Sequence, residues 1–348
     1  MRTIDRSIVE ELLAYDSEDV VSLYVPVDPG DPRNQRPPGQ EWWRTAAKSM
    51  LDGLDPGDER DDRLAFRDTL AGLEEFAETY TPDERTLAVF ADRDNVFTIP
   101  LQVRLEREAH VGLPAVAPLL KALSIYHHYL VLLIASDRIR AIEAHQGGIG
   151  GDDDITLSRS WGMHSATRSG HRFRFEDRIE EWQRKYQVAV AAEIDSLLTS
   201  GEFDRVIIGG AEREAHGVMR ALSDQGAERV AGIVSVPLDA DEATIMDSIA
   251  PAVRAFEDGQ EREAIHRARR LAETSGRAAF GTTAVDAALA ASAVRRLLIS
   301  AGRTDPDDRE DRVRSAYAQG AEVTFLFGDA RNDLNEHDGV AAELYWAL

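Results

Sequence analysis

The chain has 348 residues with 40 basic and 63 acidic side chains, a net charge of −23 and no cysteine. That length exceeds one ordinary core and predicts two or three domains of roughly 100–150 residues each. Disulfides, thiolate metal sites and cysteine nucleophiles are excluded, and no run of 18 apolar residues indicates a transmembrane helix.

Acids in the first sixteen residues, MRTIDRSIVEELLAYD, stand where a signal peptide needs an apolar run, so a cytoplasmic location is expected. Lys48, Lys121 and Lys185 are the lysines, so 37 of the 40 basic residues are arginine. A carboxylate-rich, lysine-poor composition fits either a high-salt cytoplasm or a GC-rich genome, and the sequence leaves both open. The global field opposes nucleic acid at low salt. At molar salt the Debye length shrinks to roughly 3 Å, and local patches outweigh net charge.

Residues 1–115 read as a first domain. A short helix over Ile8–Leu13 precedes a buried strand at Val20–Val27, rich in β-formers and bounded by Asp and Pro. Pro29–Gln40 holds four prolines and two glycines and reads as an exposed loop. Trp42, Trp43, Ala46, Ala47, Met50 and Leu51 recur at helical spacing, and a second helix runs from Arg63 to Tyr80. Strands at Thr86–Ala91 and Asn95–Val103 join through an Asp-Arg-Asp turn.

Residues 116–237 read as a second domain. A hairpin of Tyr129–Ala135 and Arg140–Ala144 leads into a Gly- and Asp-rich loop over 145–154. A long amphipathic helix spans Glu176–Leu198. Val206–Ile208, a Gly209-Gly210 turn, a helix from Glu212 to Leu222 and a strand at Val230–Val236 follow. Residues 238–348 read as a third domain. It opens on a charged helical pattern from Glu242 to Thr274 that could bridge domains. Helix Ala284–Ser292, strand Arg296–Ile299, helix Asp311–Gln319, strand Val323–Phe327 and an apolar end at Leu344–Trp346 complete it. Strands alternating with helices predict parallel-type sheets covered on both faces.

The sharpest local anomaly is Ile155–Phe175, ITLSRSWGMHSATRSGHRFRF, which contains no acid. It carries Arg159, Arg168, Arg172, Arg174, His164 and His171, with Trp161 and Phe173 among them. The run 158–171 lacks a periodic apolar pattern and reads as a flexible loop. Arginine and histidine interleaved with aromatics suit phosphate contact and base stacking. The competing reading is a solvated loop whose arginines pair with surface carboxylates.

Other candidates are weaker. The glycines at 147–151 lead into Asp152, Asp153 and Asp154, not into a helix N-terminus, and read as a connector. Gly209-Gly210 does precede a helix, but Glu212 and Glu214 in its first turn repel phosphate. Asp152–Asp154 and the run Asp305, Asp307, Asp308 and Glu310 lack the spacing of an EF-hand loop and read as solvated surface. Neither His127-His128 nor His216 falls into a metal-ligand spacing, and there is no GxSxG. No cofactor, metal or catalytic residue is assigned.

Three stretches together resemble a known family. They are VVSLYVPVDP at 20–29, followed by helices; the basic segment 158–174 feeding the helix at 176–198 and then DRVIIGGAERE at 204–214; and ETSGRAAFGTTAVDAALAASAVRRLLIS at 273–300, closed by AEVTFLFGD and HDGVAAELYW. Their order resembles the archaeal and eukaryotic class-one release factors and their Pelota relatives, above all the bacterial-type branch with its Balon-like hibernation factors. The resemblance spans nearly the whole chain. It implies an α/β protein of three domains: a divergent N-terminal α/β module, an RNase H-like middle domain, and an L7Ae-like α/β/α C-terminal domain.

In that family the loop before the long middle helix carries Gly-Gly-Gln, which serves peptide release. No Gly-Gly-Gln occurs in this sequence, and Gln146-Gly147-Gly148 has the reversed order on the wrong side of the loop. An Asn-Ile-Lys-Ser stop-codon motif is also missing. The resemblance therefore implies a non-catalytic factor of the ribosomal A site, in hibernation or rescue. Arg159, Trp161, His164, Arg168, His171, Arg172 and Arg174 would contact ribosomal RNA. An elongation-factor GTPase is a candidate second partner, and no membrane partner is expected. Two alternatives stay open: a peptidyl-tRNA hydrolase using Ser165, Thr167 or His171 to organise water, and an interaction protein without a ribosomal role.

Overall fold

A computed structural model describes residues 6–37, 39–57, 60–135, 139–146, 155–163, 175–302 and 305–348. Contacts divide the chain into two compact units, one of 1–125 with 263–348, the other of 126–262. Among the described residues no helix is long and apolar enough to cross a membrane.

The first stretch contains α1 (Arg6–Leu13), β1 (Val20–Pro26), α2 (Trp42–Leu51), α3 (Arg60–Thr79), β2 (Thr86–Ala91), β3 (Val96–Leu101), β4 (Glu108–Gly112) and α4 (Ala117–Ile125). The sheet order is β3-β2-β1-β4, and every pairing is antiparallel. Strand–helix alternation had predicted parallel pairing. The local turn overrides it: the Asp92 carboxylate accepts the N–H groups of Asp94 and Asn95, each at 2.8 Å, and closes a β2–β3 hairpin. Val21, Leu23 and Val25 alternate onto one face, where Trp43 of α2 and Leu73 of α3 cover them. β1 is buried on its other face too. There the Tyr24 hydroxyl donates to Ala115 O at 2.5 Å and Ser22 Oγ accepts from Ala115 N at 2.9 Å.

The middle unit contains β5 (His127–Ile134), β6 (Ile139–Gln146), β7 (Ile155–Met163), α5 (Phe175–Ser200), β8 (Arg205–Gly210), α6 (Glu212–Ala221), α7 (Asp224–Glu228), β9 (Val230–Val234) and the start of α8 (Glu242–Ser275). Its sheet order is β7-β6-β5-β8-β9. β5, β6 and β7 are antiparallel, while β8 and β9 run parallel to β5. Taken in chain order this is 3-2-1-4-5 with an antiparallel second strand, the RNase H-like arrangement. The uninterrupted apolar run of β5 explains its central place. Leu130, Leu132 and Ile134 face a core with Val190 and Ile194 of α5 and Val218 of α6. Tyr129, Val131 and Leu133 face the opposite core, with Ile245, Ile249 and Val253 of α8.

The remainder contains β10 (Ala278–Phe280), α9 (Thr282–Ala290), β11 (Val294–Ser300), α10 (Pro306–Ala318), β12 (Glu322–Leu326), α11 (Gly328–Asn335) and β13 (Val340–Leu344). The sheet order is β10-β13-β11-β12, with β11 and β12 parallel and the other pairs antiparallel. Ala264, Ile265 and Ala268 from the last turns of α8 join Ala330 and Leu334 of α11 over Leu298, Leu326 and Ala341. α9, α10 and α4 also pack against these strands, giving helices on both sides of the sheet. The long charged helix expected over 242–274 is present as α8, and its ends contribute apolar side chains to two separate cores.

Candidate functional site

The acid-free segment is framed by two elements of the middle unit. Its first part is β7, the edge strand of the sheet, paired antiparallel with β6 from Ile155 opposite Gln146 to Met163 opposite Ile139. The run from 158 was expected to be loop. Residues 158–163 are strand instead, so Arg159 lies opposite Glu143 and Trp161 opposite Ala141 along the backbone. Ser, Arg and Gly hid this strand, because an edge strand takes its pairing from its neighbour's backbone and needs no continuous apolar run. Of the loop expected over 145–154, His145 and Gln146 are strand residues paired with Thr156 and Ile155, and 147–154 lie outside the described residues. His164, Arg168, His171, Arg172 and Arg174 lie outside the described residues, as do Ser165, Thr167 and Asp152–Asp154.

α5 resumes at Phe175. Its inner face carries Val190, Ala191, Ile194 and Leu198 into the core beneath β5 and β8. α5 and α6 approach closely: a Cβ on Gly217 would stand 2.1 Å from Gln187 Nε2. Met163 of β7, Ile139 of β6 and Ile134 of β5 are successive neighbours, and Ile134 in turn pairs with Gly210 of β8. The C-terminal ends of β5, β7 and β8 thus lie at the same end of the sheet.

Gly209 and Gly210 were expected to form a turn. They belong to β8, and Gly210 is required by packing. Its φ is 103°, and an added Cβ would lie 2.1 Å from Ile134 O. The N–H of Ala211 then donates to Ile134 O at 2.9 Å. α6 follows with Glu212 and Glu214 in its first turn and no side-chain cap, in keeping with acids answering the helix dipole there.

The opposite end of β5 carries a polar network whose partners sequence reading did not assign. Glu257 of α8 accepts from the Tyr129 hydroxyl at 2.5 Å, with His127 Nε2 at 3.4 Å and Arg205 Nε at 3.7 Å. Burial opposes ionisation of Glu257, but His127, Tyr129 and Arg205 together hold its pKa below the usual carboxylate value. Burial and the facing Glu257 push the Tyr129 phenol well above its ordinary value. His128 Nε2 sits 2.6 Å from Glu143 Oε1, and its ring lies 4.5 Å from that of Phe203. Adjacent His127 and His128 at a strand start signalled a polar strand end. The distant Glu257 and Arg205 had no local signal. The network fastens α8 and β8 to β5, and its groups are engaged with one another, so it reads as structure.

The acidic run at 305–310 resolves in the same way. Asp305 caps α10 by accepting from Asp307 N. Glu310 is buried, and its carboxylate accepts the N–H groups of Val116 and Ala117 at 2.9 and 2.8 Å, with Arg314 Nε at 3.0 Å. The expectation of solvated surface fails for Glu310, because the start of α4 packs onto α10 there and its amides take the carboxylate. Among the described residues no group of three or more His, Cys, Asp or Glu is placed to hold a metal ion.

Residues 114–257 match the sequence model of bacterial archaeo-eukaryotic release factor family 10. The middle of the chain is thus similar to that release-factor family. The matched stretch runs from just before α4 to Glu257 and includes the acid-free segment 155–175. No curated protein matches it. Among solved structures it is similar to the archaeal translation termination factor aRF1, at 18% identity over 98% of this chain and 97% of that one, with a TM-score of 0.28. It is also similar to S. cerevisiae Dom34, at 14% identity over 79% and 78% with a TM-score of 0.48. A third is the archaeal Pelota of a ribosome-bound Pelota–ABCE1 model, at 13% over 100% and 96% with a TM-score of 0.45.

Proposed function

We propose that this chain is a release-factor-like, ribosome-associated translation factor that acts without hydrolysis, occupying the A site of idle or stalled ribosomes in hibernation or rescue. The observation that carries the reading is the family match at 114–257 around a segment that has exchanged Gly-Gly-Gln for an acid-free, arginine-rich sequence. Loss of the glutamine removes the group that would organise water. Arg159, Trp161, His164, Arg168, His171, Arg172 and Arg174 keep the chemistry that holds ribosomal phosphates and bases. In this reading the middle module of the division at 1–115, 116–237 and 238–348 bears the segment, and an elongation-factor GTPase is a second partner.

Cosedimentation with ribosomes from the native organism, at low and near-molar salt, tests the proposal. The wild type should pellet with ribosomes. The Arg168→Ala, Arg172→Ala, Arg174→Ala triple variant should bind at least about tenfold more weakly, since each lost phosphate contact removes counterion release. Absence of wild-type binding, or equal binding by the variant, would sink the proposal. Peptide release from stalled complexes that vanishes with His171→Ala would assign a rescue hydrolase instead.

A further inference from the structure

The corner of the β10-β13-β11-β12 sheet where β13 ends differs in charge from the rest of the chain. Residues 263–277, 293–300 and 340–348 hold six arginines against three glutamates, whereas the whole chain has 40 basic residues against 63 acidic. Some of these arginines are already paired: Arg296 with Glu322 at 2.6 Å, Arg270 with Glu263 at 2.6 Å, Arg269 with Asp333 at 3.7 Å. Three are not matched one for one. Arg267 and Arg295 share the fully buried Glu343, with Arg267 Nε at 2.8 Å from it, and remain 38% and 40% exposed. Arg277 is exposed, and its Nε donates to Ser275 Oγ at 3.2 Å.

Beside them stands a pair of exposed aromatics. Tyr345 and Trp346 are 51% and 49% exposed. Their rings stack on each other at 6.2 Å with an interplanar angle of 27°. The backbone fixes where they sit. Leu344 N donates to Arg277 O at 2.9 Å, Tyr345 N donates to Ala293 O at 2.9 Å, and a Cβ on Gly276 would lie 3.4 Å from Ala347 Cβ. The segment after β13 therefore runs along Gly276 and Arg277 and past the start of β11, two residues from the carboxylate that aligns Arg267 and Arg295.

We propose that this corner is a second RNA-binding surface, which takes single-stranded RNA by stacking bases on Tyr345 and Trp346 and holding phosphates on Arg277, Arg267 and Arg295. Guanidinium forks match phosphate oxygens, and a buried carboxylate that already orients two of them lowers the cost of ordering them on the ligand. Half-exposed stacked rings offer π faces to any base. An acidic peptide would use the arginines but has no need of the rings, so the combination selects nucleic acid. The surface is distant in sequence from 155–175, and the proposal does not depend on the ribosomal reading of that segment.

The test uses the full chain and a labelled single-stranded oligoadenylate of about ten nucleotides, a length near the site size of such platforms. Binding is followed by anisotropy, and photocrosslinks from a 4-thiouridine analogue are mapped to peptides. Tyr345→Ala with Trp346→Ala should weaken binding about tenfold or more, as expected for removing a stacking platform, and abolish crosslinks to 345–346. Arg277→Glu should weaken binding and flatten its salt dependence. Arg267 and Arg295 are left in place, because removing either strips a partner from Glu343. The Arg168→Ala, Arg172→Ala, Arg174→Ala variant should retain the crosslinks at 345–346, which separates this surface from the other segment. No binding by the wild type, undiminished binding by the aromatic double variant, or equal competition by polyglutamate would overturn the proposal.

Discussion

Replacing the buried Glu310 with alanine should strongly destabilise the unit of 1–125 and 263–348. The carboxylate satisfies two backbone donors, Val116 N and Ala117 N, at the start of α4, and both residues are fully buried. Alanine leaves those donors without a partner and removes the acceptor for Arg314 Nε. Each buried donor left unsatisfied costs about 1–3 kcal/mol. The loss should therefore total roughly 3–5 kcal/mol, or about 6–20 °C in Tm for a body of this size. Glu310→Gln keeps one acceptor oxygen and should lose roughly half as much. Thermal unfolding by circular dichroism measures the shift, and hydrogen exchange locates it, since the amides of 116 and 117 should lose protection in Glu310→Ala and partly recover it in Glu310→Gln. A loss below about 1 kcal/mol, or unchanged protection of those two amides, would refute the role assigned to Glu310.

Two further outcomes concern the middle unit. Glu257 has its pKa held below the usual value, so its contribution to stability is complete above the unfolded value of 4.5 and is lost as pH falls through the folded value. Glu257→Gln should cost about 1–3 kcal/mol at neutral pH and remove much of the decline below about pH 4.5 in the urea midpoint; an acid limb identical in wild type and variant would contradict the network. Gly210→Ala places a Cβ 2.1 Å from Ile134 O at a φ of 103°. It should cost about 3 kcal/mol or more from strain and overpacking, and a denaturant midpoint within error of wild type would show that the strand ends separate easily.

Much of the fold was legible because periodicity records burial. The run VVSLYVP, the apolar run at Tyr129–Ala135 and the helical spacing over 63–80 each mark a local element whose faces must be covered. Apart from the apolar α4, the elements that the sequence did not announce are short or polar. β4, α7, β10 and α11 have eight residues or fewer and gain their place from neighbours. β7 is the instructive case, since Arg159 and Trp161 looked like loop residues and stand in a strand that its pairing with β6 creates. Of the candidate site, the sequence marked the acid-free segment and placed it before α5, while the arginines of 164–174 lie outside the described residues.

By itself the sequence determined composition, the absence of Gly-Gly-Gln, and the order of the main helices and strands, because each of these is written in residues near one another along the chain. Only the tertiary structure decided that β1 to β4 pair antiparallel, that Glu310 serves the amides of 116 and 117, and that Tyr345 and Trp346 stand beside Arg277. Those facts join residues up to about 200 positions apart. A carboxylate or an aromatic ring has the same local signal whether it meets solvent, a buried backbone or a partner, and the meeting is fixed only when distant elements pack.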